Sequence, residues 1–243
     1  MRRRAVVLGA VGAAVAAAGC GPGERHGGLA LVYRGPVSLP GCPEAAANLV
    51  RRARPDLRVA YCGPGERRPL TAATLASAVL YVQPGGGDLD PAWRETRRYA
   101  PALRHWVRTG GRYLGICLGG YLAGADPGFA LLPGDSDEYV GSPGATVPDE
   151  RDTVIAVSWR GHRRHLYFQD GPLFRVTARA TVLARYDTGA VAALVAPCGS
   201  GRVGVVGPHP EADRTWYADA HLTNPDGVRF DLGTDLVRHT LGS

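Results

Sequence analysis

The strongest chemical signal in the chain is the stretch Tyr113-Leu114-Gly115-Ile116-Cys117-Leu118-Gly119-Gly120-Tyr121-Leu122-Ala123. An apolar run ends at a cysteine with glycine two positions before it and two after, and a small-residue run with helical potential follows. That is the pattern of a nucleophile on a tight strand-to-helix turn, where flanking side chains would clash. The turn sets the Cys117 thiol at a helix N-terminus, whose partial positive charge favours a thiolate. A buried cysteine in an apolar strand before a glycine turn has the same local sequence, so the reading needs partners elsewhere in the chain.

A cysteine nucleophile needs a base, and the base needs a group to hold its ring. The apolar run Gly201 to Gly207 ends at Pro208-His209, and Glu211 comes two positions after His209, a spacing that in extended chain returns a side chain to the same side. The expected roles are Cys117 as nucleophile, His209 as base and then acid, and Glu211 as orienter, with Asp213 a second candidate for the last. Backbone N–H groups of Leu118 and of the Gly85 to Gly87 loop are the candidate donors to an oxyanion.

These groups must be brought together by the elements before them. Leu29 to Tyr33 reads as a strand, Pro43 to Arg54 as an amphipathic helix, Val59 to Cys62 as a strand, and Thr71 to Ala76 as a short helix. Ala78 to Gln83 is a third strand, stopped by Pro84-Gly85-Gly86-Gly87-Asp88, and Trp93 to Val107 reads as one basic helix before the strand Tyr113 to Ile116. The alternation is that of a doubly wound parallel sheet, whose working groups gather at the carboxyl ends of the strands. After Ala125 the pattern changes to a short strand at Tyr139 and Val140 and strand-like runs at Thr153–Trp159, His165–Gln169, Leu173–Val176, Thr181–Tyr186 and Ala190–Pro197. That half reads as an antiparallel extension of the same sheet, with a closing helix at Asp231–Leu241. His162-Arg163-Arg164-His165 reads as an exposed hairpin turn rather than a metal pair.

The chain has 243 residues, 45% of them hydrophobic and 21% charged, enough for one sizeable α/β domain. It contains no lysine; all 28 basic residues are arginine. That excludes a P-loop, Schiff-base chemistry and pyridoxal phosphate chemistry. The formal charge is +6, and without Arg2, Arg3 and Arg4 it is 25 basic against 22 acidic residues, which does not indicate a nucleic-acid partner.

Those three arginines open an export signal: an uncharged run from Ala5 to Ala18 follows, too short to span a membrane. The ending Ala17-Ala18-Gly19-Cys20 resembles the lipobox of a bacterial lipoprotein. That resemblance implies a signal peptide over residues 1–19, a lipidated Cys20, a tether over 20–28 and a single domain over 29–243 anchored to the outer side of the cell membrane. Secretion without lipidation is the alternative, by either the general or the twin-arginine route. Export also permits disulfides, and Cys42 with Cys62 is the expected pair, closing a loop of about 20 residues worth roughly 3 kcal/mol. Cys198 reads as a buried, unreactive thiol.

Val32 to Pro36, Pro84 to Asp88, Gly115 to Tyr121, Tyr167 to Pro172 and Pro208 to Glu211, in that order, resemble the amidotransferase-like N-terminal domain of fungal-type biotin-protein ligases, within the class I glutamine amidotransferase superfamily. The resemblance runs from about Leu29 to Asp213. It implies a flavodoxin-like three-layer sandwich with a mainly parallel central sheet and an antiparallel extension in the C-terminal half. It also implies a Cys117, His209 and Glu211 triad and an oxyanion hole at Gly86 and Leu118, with no cofactor and no metal. Gly85, Gly87 and Tyr121 are then candidates for substrate contact; Tyr121 stands where glutamine-using relatives carry a substrate-binding glutamine. Ligase activity is not expected, because the ligase catalytic domain uses lysines and none is present. The expected function is an extracytoplasmic cysteine amidohydrolase acting on a small-molecule or peptide amide through a thioester. A lipoprotein that binds a ligand in the same pocket without turnover is the alternative.

Overall fold

The structure is a computed structural model and describes residues 27–242. The expected signal peptide, Cys20 and the expected tether up to residue 26 lie outside the described residues. β1 (Leu29–Tyr33) and β3 (Leu80–Gln83) are buried at every position, which is why both read as unbroken apolar runs rather than as alternation. Between them come α1 (Cys42–Ala53), β2 (Arg58–Cys62) and α2 (Ala72–Ala76). After β3 come α3 (Leu89–Thr96), α4 (Ala100–Arg108), β4 (Arg112–Ile116) and the short α5 (Leu118–Leu122).

The single helix expected over Trp93 to Val107 is broken. A 3-10 turn at Arg97–Tyr99 separates α3 from α4, and Pro101 sits in the first turn of α4. Proline has no N–H to give and its ring would clash with the Arg97 carbonyl in a continuous helix, so the chain restarts there.

The second half contains β5 (Gly134–Glu138), β6 (Thr153–Trp159), β7 (His162–Phe168), β8 (Pro172–Val176), β9 (Thr181–Tyr186), β10 (Val191–Cys198), β11 (Gly201–Val206), α6 (Arg214–Asp219) and α7 (Asp231–Leu241). The sheet runs β2-β1-β3-β4-β11-β10-β9-β6-β7, with β8 against β10 and β5 against β8. β2, β1, β3, β4 and β11 are mutually parallel; β10 reverses direction, and every pairing beyond it is antiparallel. This is the expected three-layer α/β sandwich with its antiparallel extension. One face packs Val32 and Val82 against Leu49 and Val50 of α1 and Leu236 of α7. The other packs Leu31, Tyr81 and Tyr113 against Leu75 of α2 and Leu103 of α4.

Three expectations are corrected here. The short strand expected at Tyr139 and Val140 lies earlier, at Gly134–Glu138: pairing with β8 stops at Pro172, which cannot donate, and Tyr139 turns into the core to stack on Tyr186 at 3.9 Å between ring centroids. His162 to His165 are strand, not turn. The turn is Arg160-Gly161, both with positive φ (48° and 83°), as a two-residue hairpin loop demands. Finally, Cys42 and Cys62 are free thiols, not a disulfide. Both lie near the carboxyl edge, but Cys62 packs with Leu31 and Tyr33 on the α2 and α4 face, whereas Cys42 opens α1 on the opposite face. The Cys42 sulfur lies instead by the loop after β3, 3.3 Å from where a Cβ on Gly85 would stand.

Candidate functional site

β4 leads directly into Cys117, whose φ of 49° and ψ of −110° are strained for a residue with a side chain. The surroundings hold it there: its N–H donates to the Val206 carbonyl at 2.9 Å, and its own carbonyl accepts from Gly120 at 2.7 Å and Tyr121 at 3.1 Å. The two glycines are required by contact. A Cβ on Gly115 would lie 2.2 Å from the Gly119 carbonyl oxygen, and one on Gly119 would lie 2.0 Å from that of Gln83. The Tyr113 hydroxyl donates to the Gly119 carbonyl at 2.7 Å and fixes the turn from below.

β11 is the parallel neighbour of β4, so the segment after it arrives beside Cys117. His209 donates its backbone N–H to the Tyr167 carbonyl at 2.8 Å, and its ring lies against Tyr167 and Trp216, at 6.1 and 5.2 Å between centroids. His209 Nδ1 and Glu211 Oε1 are 2.8 Å apart, with the His209 side chain 4% and the Glu211 side chain 0% exposed. Burial by itself would lower the His209 pKa; the charge of Glu211, and the charge and hydrogen bond of Cys117, outweigh it and raise the ring to about 10. With Nδ1 committed to Glu211, Nε2 is the nitrogen left for proton transfer. The Cys117 thiol also donates to the Gln169 carbonyl at 3.5 Å.

Asp213 does not join this group. Its carboxylate accepts from the Thr215 and Trp216 amides and caps α6, a helix the sequence reading did not include. Gly85 lies beside the ring rather than in a substrate wall: a Cβ there would fall 2.9 Å from His209 Cε1 and 3.3 Å from the Cys42 Sγ. Its absent side chain makes room for the imidazole. Gly86 is equally constrained, since a Cβ would meet the Val37 carbonyl oxygen at 2.0 Å and Leu118 Cδ2 at 2.4 Å. Among the described residues the Gly86 and Leu118 N–H groups have no backbone acceptor, while Gly87 donates to Val37 at 3.4 Å.

Cys117, Leu118, Gly86, Gly87 and Tyr121 all line one cavity of about 600 Å³. The Tyr121 hydroxyl is buried there without a hydrogen-bond partner among the described residues, and burial, reinforced by Asp170 and Cys117, pushes its pKa well up. The sequence reading gave no role to Gln169, Asp170, Glu138 or Glu150, which share this wall. Gln169 and Asp170 fall within the Tyr167 to Pro172 stretch, whose chemistry shows only once β7 and β8 are folded. Glu138, Glu150 and Asp170 are a group of carboxylates able to converge on a cation, each with an oxygen within 4.8 Å of the others.

A parallel sheet with Cys117 on its elbow and a buried histidine and glutamate at the end of the next strand defines the class I glutamine amidotransferase-like fold. A glutamine amidotransferase from Thermotoga maritima superposes with a TM-score of 0.60 at 16% identity, covering 90% of this chain and all of that one. A second glutamine amidotransferase gives 0.54 at 16% identity over 80% of this chain and 99% of its own. Within that fold the chain resembles the biotin-protein ligase N-terminal domain: residues 31–142 match the family model for it. Biotin–protein ligase of Schizosaccharomyces pombe is 29% identical over 164 residues, 56% of this chain and 26% of that protein. The imidazole glycerol phosphate synthase subunit HisH of Acaryochloris marina is 34% identical over 82 residues, 30% of this chain and 38% of that subunit. The chain thus spans between a quarter and two fifths of the length of these curated relatives.

Proposed function

We propose that this protein is a cysteine amidohydrolase, held outside the cytoplasm by a lipid on Cys20. The observation that carries the catalytic reading is the buried His209–Glu211 pair set against Cys117 at the mouth of a cavity. His209 takes the thiol proton, and the sulfur attacks the amide carbon. The N–H groups of Gly86 and Leu118 stabilise the oxyanion. As the C–N bond breaks, His209 returns the proton to the departing amine, leaving a thioester on Cys117. Water then attacks the thioester, giving its proton to His209; the carboxylic acid leaves and Cys117 recovers its hydrogen. Glu211 holds the ring and stabilises its cationic form throughout.

Iodoacetamide labelling at pH 7, read by peptide mass, tests this. Cys117 is expected to react at least about tenfold faster than an unactivated thiol, and His209→Asn to abolish the advantage. A Cys117 no faster than a free thiol overturns the reading. The anchor is supported by the sequence of residues 1–20; it predicts a membrane-fraction protein whose intact mass begins at a lipid-bearing Cys20.

A further inference from the structure

The cavity beside Cys117 has a charge opposite to that of the chain. The protein carries 28 arginines, yet among the described residues no basic side chain lines this cavity, whereas Asp88, Asp126, Asp137, Glu138, Glu150 and Asp170 do. Asp137 is paired outward with Arg175 at 2.6 Å. Glu138, Glu150 and Asp170 have no salt bridge among the described residues, although each has an oxygen within 4.8 Å of the other two. Asp170 Oδ1 and the Tyr121 hydroxyl are both fully buried in this wall with no hydrogen-bond partner among the described residues. Both atoms lie beneath the cavity surface, so they make the wall behind the carboxylates polar without being open to a ligand themselves. Burial, with the charges of Glu138, Glu150 and Asp88, holds the Asp170 carboxyl up at about 6, a penalty that a cation beside it would relieve.

We propose that the amide cut at Cys117 carries a protonated amine, seated among Asp170, Glu138 and Glu150. The proposal rests on the amidohydrolase reading and names its substrate class: a cationic amide rather than a neutral or acidic one. An ammonium group brings three donors and no acceptor, the complement of three carboxylates, those of the exposed Glu138 and Glu150 and the half-buried Asp170, that converge without a basic partner among the described residues. A cavity lined by one sign of charge also concentrates cations and repels anions before contact, an effect on association of about tenfold or more.

Three matched six-carbon primary amides test it on the whole chain: 6-aminohexanamide, hexanamide and adipamic acid, which are cationic, neutral and anionic at pH 7.5. Each is used to protect Cys117 from iodoacetamide. The cationic amide is expected to protect at a concentration at least about tenfold below that of the anionic one, with the ratio shrinking in high salt. Asp170→Asn should reduce that ratio. Asparagine keeps the shape, tolerates the positive φ of 44° at this position and removes only the charge, and a Glu138→Gln, Glu150→Gln double variant gives a second reading of the same ratio. Equal protection by all three, or better protection by adipamic acid, overturns the proposal. So does calcium chloride protecting Cys117 at micromolar concentration, which would assign the carboxylates to a metal. Slow labelling of Cys117 without any amide present would instead count against the activated thiol, while the order of protection would still report on the cavity.

Discussion

Glu211 keeps a carboxylate where water does not reach, and His209 is the only group it is paired with among the described residues; Oε2 has no partner. That pairing makes the His209 pKa a direct readout of the site. In the native protein the ring should titrate near 10, and in Glu211→Gln lower, because one of the two charges that oppose burial is gone and only Cys117 is left; the ring proton chemical shift against pH checks this. The sign for stability follows. A histidine raised from 6.5 to about 10 stabilises the fold fully below pH 6.5, and the contribution is lost as pH rises through about 10. Stability in urea unfolding should therefore fall between pH 7 and 10.5 by about a few kcal/mol, on the order set by the linkage relation, and by less in Glu211→Gln. Asp170 has the opposite consequence. Its carboxyl is raised from 3.8 to about 6, so its ionisation opposes folding above pH 6 and is without effect below about 4. Asp170→Asn should raise the melting temperature at pH 7.5, and the difference should vanish by pH 4.

The elbow is an element whose sequence could be read because its demands are local. Glycine at positions 115 and 119 is imposed by carbonyl oxygens within 2.2 and 2.0 Å of where a Cβ would stand, and such steric demands leave a mark in one short stretch. Gly119→Ala should cost about 1–3 kcal/mol or more in urea unfolding, since backbone rather than a movable side chain stands in the way. Gly87→Ala, with nothing within 4 Å of its Cβ, should stay within about 0.5 kcal/mol. The His209-x-Glu211 spacing was legible as a pair, but the geometry differs from the extended segment expected: Pro210 and Glu211 form a turn in which the Ala212 N–H donates to the His209 carbonyl at 3.3 Å, and the turn brings the carboxylate back to the ring. What could not be read were features decided by partners far away in sequence. β5 ends at Glu138 because Pro172 stands opposite, and α3 and α4 separate because a proline interrupts an otherwise good apolar stripe. Asp213 resembled an orienter in sequence and became a helix cap because Thr215 and Trp216 turned their amides toward it.

At the scale of the molecule, strand order brings the ends of β3, β4 and β11 together, and their loops supply Gly86, Cys117 and His209. The acidic wall joins them from residues between 88 and 170 that share no periodicity, so composition gave only the net +6 and concealed a cavity of the opposite sign. The same limit explains the cysteines. Spacing placed Cys42 and Cys62 at one edge of the sheet, but sheet face is set by register, and β2 pairs so that Cys62 lies beside Tyr33 on the side away from α1. Cys42 instead sits near the active group, where burial first, and then Glu211 and Cys117, push its thiol pKa up, so it remains a neutral thiol. A native disulfide in an exported domain is typically worth about 2–5 kcal/mol, which for a chain of this size corresponds to a melting shift of roughly 5–15 °C on reduction. The free thiols predict none: melting curves with and without dithiothreitol should coincide within about 1 °C, and Cys62→Ser should melt at the same temperature in both. A clear drop on reduction would require Cys42 to cross from the α1 face, and with it a different packing around His209.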